Sequence, residues 1–177
     1  VYWFNSADGG GFSRKISWVK QIHHWKLKYN YKGRIFIKKK APWLYNFIQK
    51  FNTNDINEVF EKYIFEINPN LIHFFLMNLS GIPIFKTLCK FQQIPVIYSS
   101  WGGDMFDYQS FGLSSNQVTL FLERVKYLLT DCERDFEIAK KHGFKNRFLG
   151  VFPGNGGITY LEDKIEALDE IKQVDIR

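Results

Sequence analysis

Ile94-Pro-Val-Ile-Tyr-Ser-Ser-Trp-Gly-Gly-Asp104 decides the fold class of this chain. The apolar run Val96, Ile97 and Tyr98 predicts a buried strand, which breaks into two glycines flanked by an aromatic and a carboxylate. In open α/β sheets, ligands bind in the crevice beyond the carboxyl ends of the strands. Glycine there admits backbone close to a ligand, and an Asp adds a charged hydrogen-bonding group. The stretch therefore predicts a polar small-molecule site at the end of a parallel strand.

The same cycle of strand, polar or Gly-rich loop and helix repeats on both sides of it. Residues 1–4 are apolar and lead into Asn5-Ser-Ala-Asp-Gly-Gly-Gly11, after which Ser13 caps an expected helix over 13–27. Residues 34–37 predict a second strand. Trp43, Leu44, Phe47, Ile48 and Phe51 have amphipathic helical spacing. Asp55, with Glu58 three residues on, caps a helix that carries Ile56, Val59, Phe60, Tyr63 and Ile64 and stops at Asn68-Pro-Asn70. Strands are expected over 71–75, 125–130 and 148–152, and helices over 82–92 and 116–124. Asp131 is expected to cap a helix that ends at His142-Gly143. The turn Pro153-Gly-Asn-Gly-Gly157 precedes a polar amphipathic helix expected over 161–173.

Strands alternating with helices predict an α/β domain, a Rossmann-like parallel sheet with helices on both faces. Three glycine clusters, at 9–11, 102–103 and 154–157, each follow a predicted strand. In a parallel sheet those ends share one edge, so the three loops are expected to line a common crevice.

Length and composition narrow the classes. A chain of 177 residues suits one domain with a real core. Its 45% hydrophobic and 18% aromatic content is too rich for disorder. No apolar run reaches the roughly 18 residues of a membrane span, and residues 1–4 do not open a signal peptide. Cys89 and Cys132 fall in predicted helices and read as reduced packing residues, with a single bridge between them as the alternative. His23, His24, His73 and His142 show no metal-ligand spacing with them, so no metal is expected. The net charge of +6 is unevenly spread. Residues 9–54 hold eleven Lys or Arg and no acid, whereas residues 123–177 hold ten basic and eleven acidic residues. Such asymmetry implies an anionic partner or a solvated basic face.

The Gly-Gly-Gly loop could cradle a phosphate on backbone N–H groups at a helix start. It has no Gly-Lys-Ser/Thr of a Walker loop and no Gly-x-Gly-x-x-Gly dinucleotide spacing, so NAD binding is not expected. The chain also lacks a Gly-x-Ser-x-Gly elbow, which sets hydrolase chemistry aside.

Pro69-Asn-Leu-Ile-His-Phe-Phe75, Pro95 to Asp104, Leu129-Thr-Asp131 and Val151-Phe-Pro-Gly-Asn-Gly-Gly-Ile158, in that order, resemble the N-terminal half of GT-B glycosyltransferases of family 4. Three positions depart from that pattern. Asn70 stands where Asp is usual, Phe75 where a second His often appears, and Trp101 where His commonly precedes the glycines. The resemblance covers residues 1–160 and implies a Rossmann-like acceptor-side domain. It makes residues 161–177 a linker helix toward a C-terminal donor-binding domain that this chain lacks. It also implies a retaining transferase that moves a sugar from a nucleotide-sugar to a polysaccharide or lipid-linked acceptor, with no permanently bound cofactor and no metal. The domain alone is expected to be inactive. The implied place is cytoplasmic, peripheral on the inner face of the membrane.

On that resemblance Asp104 is the expected catalytic residue: it contacts an acceptor hydroxyl, or orients its loop by accepting backbone N–H bonds, or simply caps a turn. Substrate binding is expected of Gly10, Gly11, Trp101, Gly102 and Gly103. His73 is either a substrate contact or a hydrogen-bonded strand residue, and Asn155 and Gly156 either a substrate contact or the interdomain turn. Lys38, Lys39 and Lys40 ahead of Trp43 and Phe47 could meet an anionic membrane surface, or the aromatics could pack on the sheet. Interleaved Lys and aromatics also serve single-stranded nucleic acid, but no recognised binding module accompanies them, and no nucleic-acid partner is expected. A standalone non-catalytic binding domain and half of a nucleotide-sugar epimerase are the competing readings.

Overall fold

The computed structural model describes residues 1–8, 16–101 and 103–153. Strand β1 (Tyr2–Phe4) and strand β2 (Lys20–Ile22) precede helices α1 (Arg34–Lys40), α2 (Pro42–Asn52) and α3 (Ile56–Ile67). Strand β3 (Ile72–Phe75) follows, then a π turn (Met77–Gly81), a 3-10 turn (Ile82–Ile84) and α4 (Phe85–Lys90). Strand β4 (Val96–Ser99), α5 (Ser115–Arg124), β5 (Tyr127–Thr130), α6 (Glu133–Lys141) and β6 (Arg147–Val151) complete the order. This is a mixed α/β fold with a generic Rossmann-like character.

Two parallel sheets replace the single sheet expected. One pairs β1 with β2, and the other runs β3-β4-β5-β6. Within the four-stranded sheet, strands that neighbour in sequence also neighbour in space, with a helix in each crossover, as short parallel connections require. Burial alternates along the strands. Ile72, Phe74, Val96, Tyr98 and Leu128 are buried in one core with Phe60 and Ile64 of α3, Leu88 of α4 and Phe121 of α5. The alternate positions, His73, Phe75, Ile97, Tyr127 and Leu129, are exposed or half-buried. Among the described residues every buried hydrophobic side chain lies between Phe60 and Phe144.

Local signals explain most elements. The Asp55 carboxylate accepts from the Asn57 and Glu58 N–H groups at the start of α3, and Asn68 ends that helix in a left-handed conformation. Ser114 and Gln117 form a reciprocal capping box at α5. Pro42 opens α2, where its missing N–H costs nothing.

Four expectations need correction. Residues 34–37 are helical, because Gly33, at φ +81°, starts a turn whose last residues, Lys38 to Lys40, complement the negative end of the helix dipole. Within 16–27 there is no helix. Lys20–Ile22 pairs with β1, and His24 at φ +59° and the Asp8 carboxylate, which accepts from the Trp25 and Lys26 N–H groups, fix an irregular path. The helix expected over 82–92 begins as a 3-10 turn that follows the π turn, and α4 proper is only Phe85–Lys90. Cys132, not Asp131, is the N-cap of α6, without a side-chain bond. The Ser13 cap, the first and third glycine clusters and the helix expected over 161–173 lie outside the described residues.

Candidate functional site

The carboxyl ends of β3 and β4 are tied together by one carboxylate. Asp104 is 1% exposed. Its Oδ2 accepts from the Met77 N–H at 2.7 Å and from the Tyr98 hydroxyl at 2.6 Å, and its Oδ1 accepts from the Trp101 N–H at 3.0 Å. Met77 opens the loop after β3, while Tyr98 and Trp101 bracket the end of β4. Burial pushes the Asp104 pKa up, against the three donors that lower it, and burial beside Asp104 pushes the Tyr98 hydroxyl well above its ordinary value. Asp104 thus holds the ends of both loops by accepting backbone N–H bonds.

The loop it holds is strained. Leu76 sits at φ +64°, ψ +99°, a region that bulky side chains rarely occupy. The π turn then follows, with the Ser80 hydroxyl donating to the Leu76 carbonyl at 2.8 Å and to the Phe75 carbonyl. From the first sheet, the Ser6 hydroxyl donates to the Leu79 carbonyl at 2.9 Å. The loops after β1, β3 and β4 therefore converge on one edge.

An aromatic platform stands on that edge. Trp3 stacks on Phe75 with centroids 6.2 Å apart, and Phe75 meets Trp101 at 5.7 Å. Trp3 is 42% and Trp101 44% exposed, so both indoles keep ring surface open to solvent. His73 lies 4.3 Å from the Phe75 ring, and its Nε2 is 2.8 Å from the Ser99 hydroxyl oxygen. Partial burial of the imidazole lowers its pKa and favours the neutral ring. Such an arrangement offers flat apolar faces beside a neutral hydrogen-bonding pair.

Next to the platform, Ser100 donates to the Asp135 Oδ2 at 3.0 Å, and Arg134 reaches the Asp135 Oδ1 at 3.1 Å while its guanidinium lies 3.8 Å from the Phe106 ring centroid. Asp131, Cys132 and Asp135 could each turn a ligand atom toward a common ion. Asp135, however, already has Ser100 and Arg134, and burial pushes the Cys132 thiol up, away from the thiolate that binds metal. The group reads as an ion-paired support for the β4 loop.

Two depressions lie elsewhere. One of about 350 Å³ is lined by Asn68, Asn70 and Ile94, and one of about 600 Å³ by Cys89, Pro95, Arg124 and Asn146, all near the amino ends of β3, β4 and β5. Arg124 spends its donors on the Leu88, Phe91 and Ile94 carbonyls, so that side carries structure rather than an open charge.

Of the residues singled out from sequence, His73, Trp101, Gly103 and Asp104 come together at this edge. Lys38, Lys39, Lys40, Trp43 and Phe47 sit on α1 and α2. Gly10, Gly11, Gly102, Asn155 and Gly156 lie outside the described residues. Trp3, Phe75, Tyr98 and Leu76 were not singled out for the site. Trp3 and Phe75 are aromatics at or next to the last position of a predicted strand, a signal the sequence does carry. Among the described residues no helix is long and apolar enough to cross a membrane. No family model, no curated protein and no solved structure matches the chain.

Proposed function

We propose that this chain is the acceptor-binding domain of a GT-B type glycosyltransferase, holding a polysaccharide or lipid-linked saccharide while a nucleotide-sugar bound by a second domain donates to it. The observation that carries this reading is the Trp3–Phe75–Trp101 platform at the carboxyl edge. Sugar rings present patches of C–H groups on one face and hydroxyls at the rim. Exposed indoles match the first, and His73 with Ser99 the second. The order of sequence segments that resembles family 4 supports the transferase half of the proposal.

A second reading, saccharide binding without catalysis, is favoured by Asp104 itself, whose carboxylate is buried and already holds three donors. One experiment separates the readings. The native protein is titrated with a panel of oligosaccharides, followed by tryptophan fluorescence, and then incubated with nucleotide-sugars and any oligosaccharide that binds. Binding that weakens about tenfold in Trp101→Ala, roughly the worth of one stacked ring, is expected. Sugar transfer to the bound oligosaccharide selects the transferase, binding alone the second reading, and no binding by any oligosaccharide sinks both.

A further inference from the structure

Helix α2 is amphipathic, yet it turns its largest apolar side chains outward. Trp43, Phe47 and Phe51 recur every fourth residue and are 74, 58 and 68% exposed. Leu44, Tyr45 and Ile48 are half-buried, and Asn52 is the one buried residue of the helix. Asn52 fixes the orientation: its side chain accepts from the Tyr29 N–H at 2.8 Å and donates to the Tyr29 carbonyl at 2.7 Å. Asn54 adds a bond to the Trp25 carbonyl at 2.7 Å. The stripe is therefore held out by polar anchors, not left out by loose packing. Ile35 and Phe36 of the adjoining α1 are also exposed.

Charge says what the stripe meets. Lys38, Lys39 and Lys40 form the last turn of α1, and Lys50 lies in the last turn of α2. Between residues 9 and 54 there is no acid, and the two flanking it are engaged: Asp8 with the Trp25 and Lys26 N–H groups, Asp55 with the start of α3. A second copy of this face would bring like charges together. An anionic surface with an apolar interior satisfies both the lysines and the aromatics.

We infer that the adjoining helices α1 and α2 dock on an anionic lipid bilayer, with Trp43, Phe47 and Phe51 entering the headgroup region and the lysines facing the charged lipids. A bilayer fits better than a nucleic acid strand, because Ile35 and the continuous helical stripe give apolar depth, where a strand asks for separate stacking platforms along a groove. The inference does not depend on the saccharide reading.

The test is co-sedimentation of the full chain with vesicles of phosphatidylcholine, with and without phosphatidylglycerol. Binding to the anionic vesicles alone is expected, and added salt should weaken it. The variant Trp43→Ala/Phe47→Ala/Phe51→Ala should partition at least about tenfold less even at low salt. Lys38→Gln/Lys39→Gln/Lys40→Gln should lose the preference for phosphatidylglycerol. All six side chains are exposed, so both variants should melt as the parent does. No co-sedimentation at low salt, or undiminished binding by the aromatic variant, overturns the inference. So does binding of a single-stranded oligonucleotide through these side chains by a protein that ignores vesicles.

Discussion

Asp104 shows how one buried carboxylate can tie two loops to a strand. Its three donors come from two loops and one strand, and a neutral amide in its place would turn at least one N–H toward other donors. Asp104→Asn should therefore destabilise the fold by about 1–3 kcal/mol, the cost of leaving buried donors unpaired. A carboxylate reserved for substrate would leave the melting temperature unchanged. The pH dependence is a second check. Burial raises the folded pKa above the unfolded one, so between those values the folded state binds more protons. The stability contributed by Asp104 then falls as pH rises through that window. The penalty of Asp104→Asn should be largest below pH ~4 and shrink toward neutrality. Urea unfolding of both proteins across that range measures it, and a penalty that grows with pH would mean a depressed folded pKa instead.

The π turn between β3 and α4 depends on α5 as a template. A Cβ added at Gly81 would lie 2.4 Å from Cε2 of Phe121, a fully buried ring packed against Tyr98 at 5.2 Å. Neither ring nor backbone has room to yield, so Gly81→Ala should cost about 1–3 kcal/mol and shift the loop that carries Met77. Thermal unfolding measures the cost, and a melting temperature equal to the parent's would show that the turn adapts freely. The contrast with α2, α3 and α5 explains what the sequence made legible. Helix α2 announces itself by its apolar period and α3 by Asp55 and an apolar period, all within a few residues, and the Ser114 cap of α5 is equally local. The turn does not, because its shape is set by Phe121, forty residues on. The same holds for the site. The Gly-Gly-Asp loop and its place after a strand are local facts, but the bond from Met77 to Asp104 spans 27 residues. Residues 34–37 misled because Ile-Phe-Ile suits a strand and a short helix alike, and only Gly33 and the lysines decide between them.

Burial divides the molecule into two regions of unequal strength. Residues up to 54 supply no buried hydrophobic side chain among those described, whereas β3 to α6 share one core. The first region is joined to that core mainly through Phe4, which meets Trp25 at 5.5 Å, Phe60 at 5.1 Å and Tyr63 at 6.1 Å. Elements with little buried surface open at a fraction of the global unfolding free energy. Amides of β2 and α2 should therefore exchange with deuterium well before those of β4 and β5, and equal protection would show a single cooperative unit. A bilayer that grips α1 and α2 binds only their closed form. At lipid a hundredfold above the dissociation constant, mass action adds about 2.7 kcal/mol, or roughly hundredfold slower exchange, to the gripped region. Anionic vesicles should slow α1 and α2 by that order and leave β4 and β5 unchanged. Slowing spread evenly over both regions would place the contact on the common core, and slowing confined to β3 and β4 would place it on the aromatic platform.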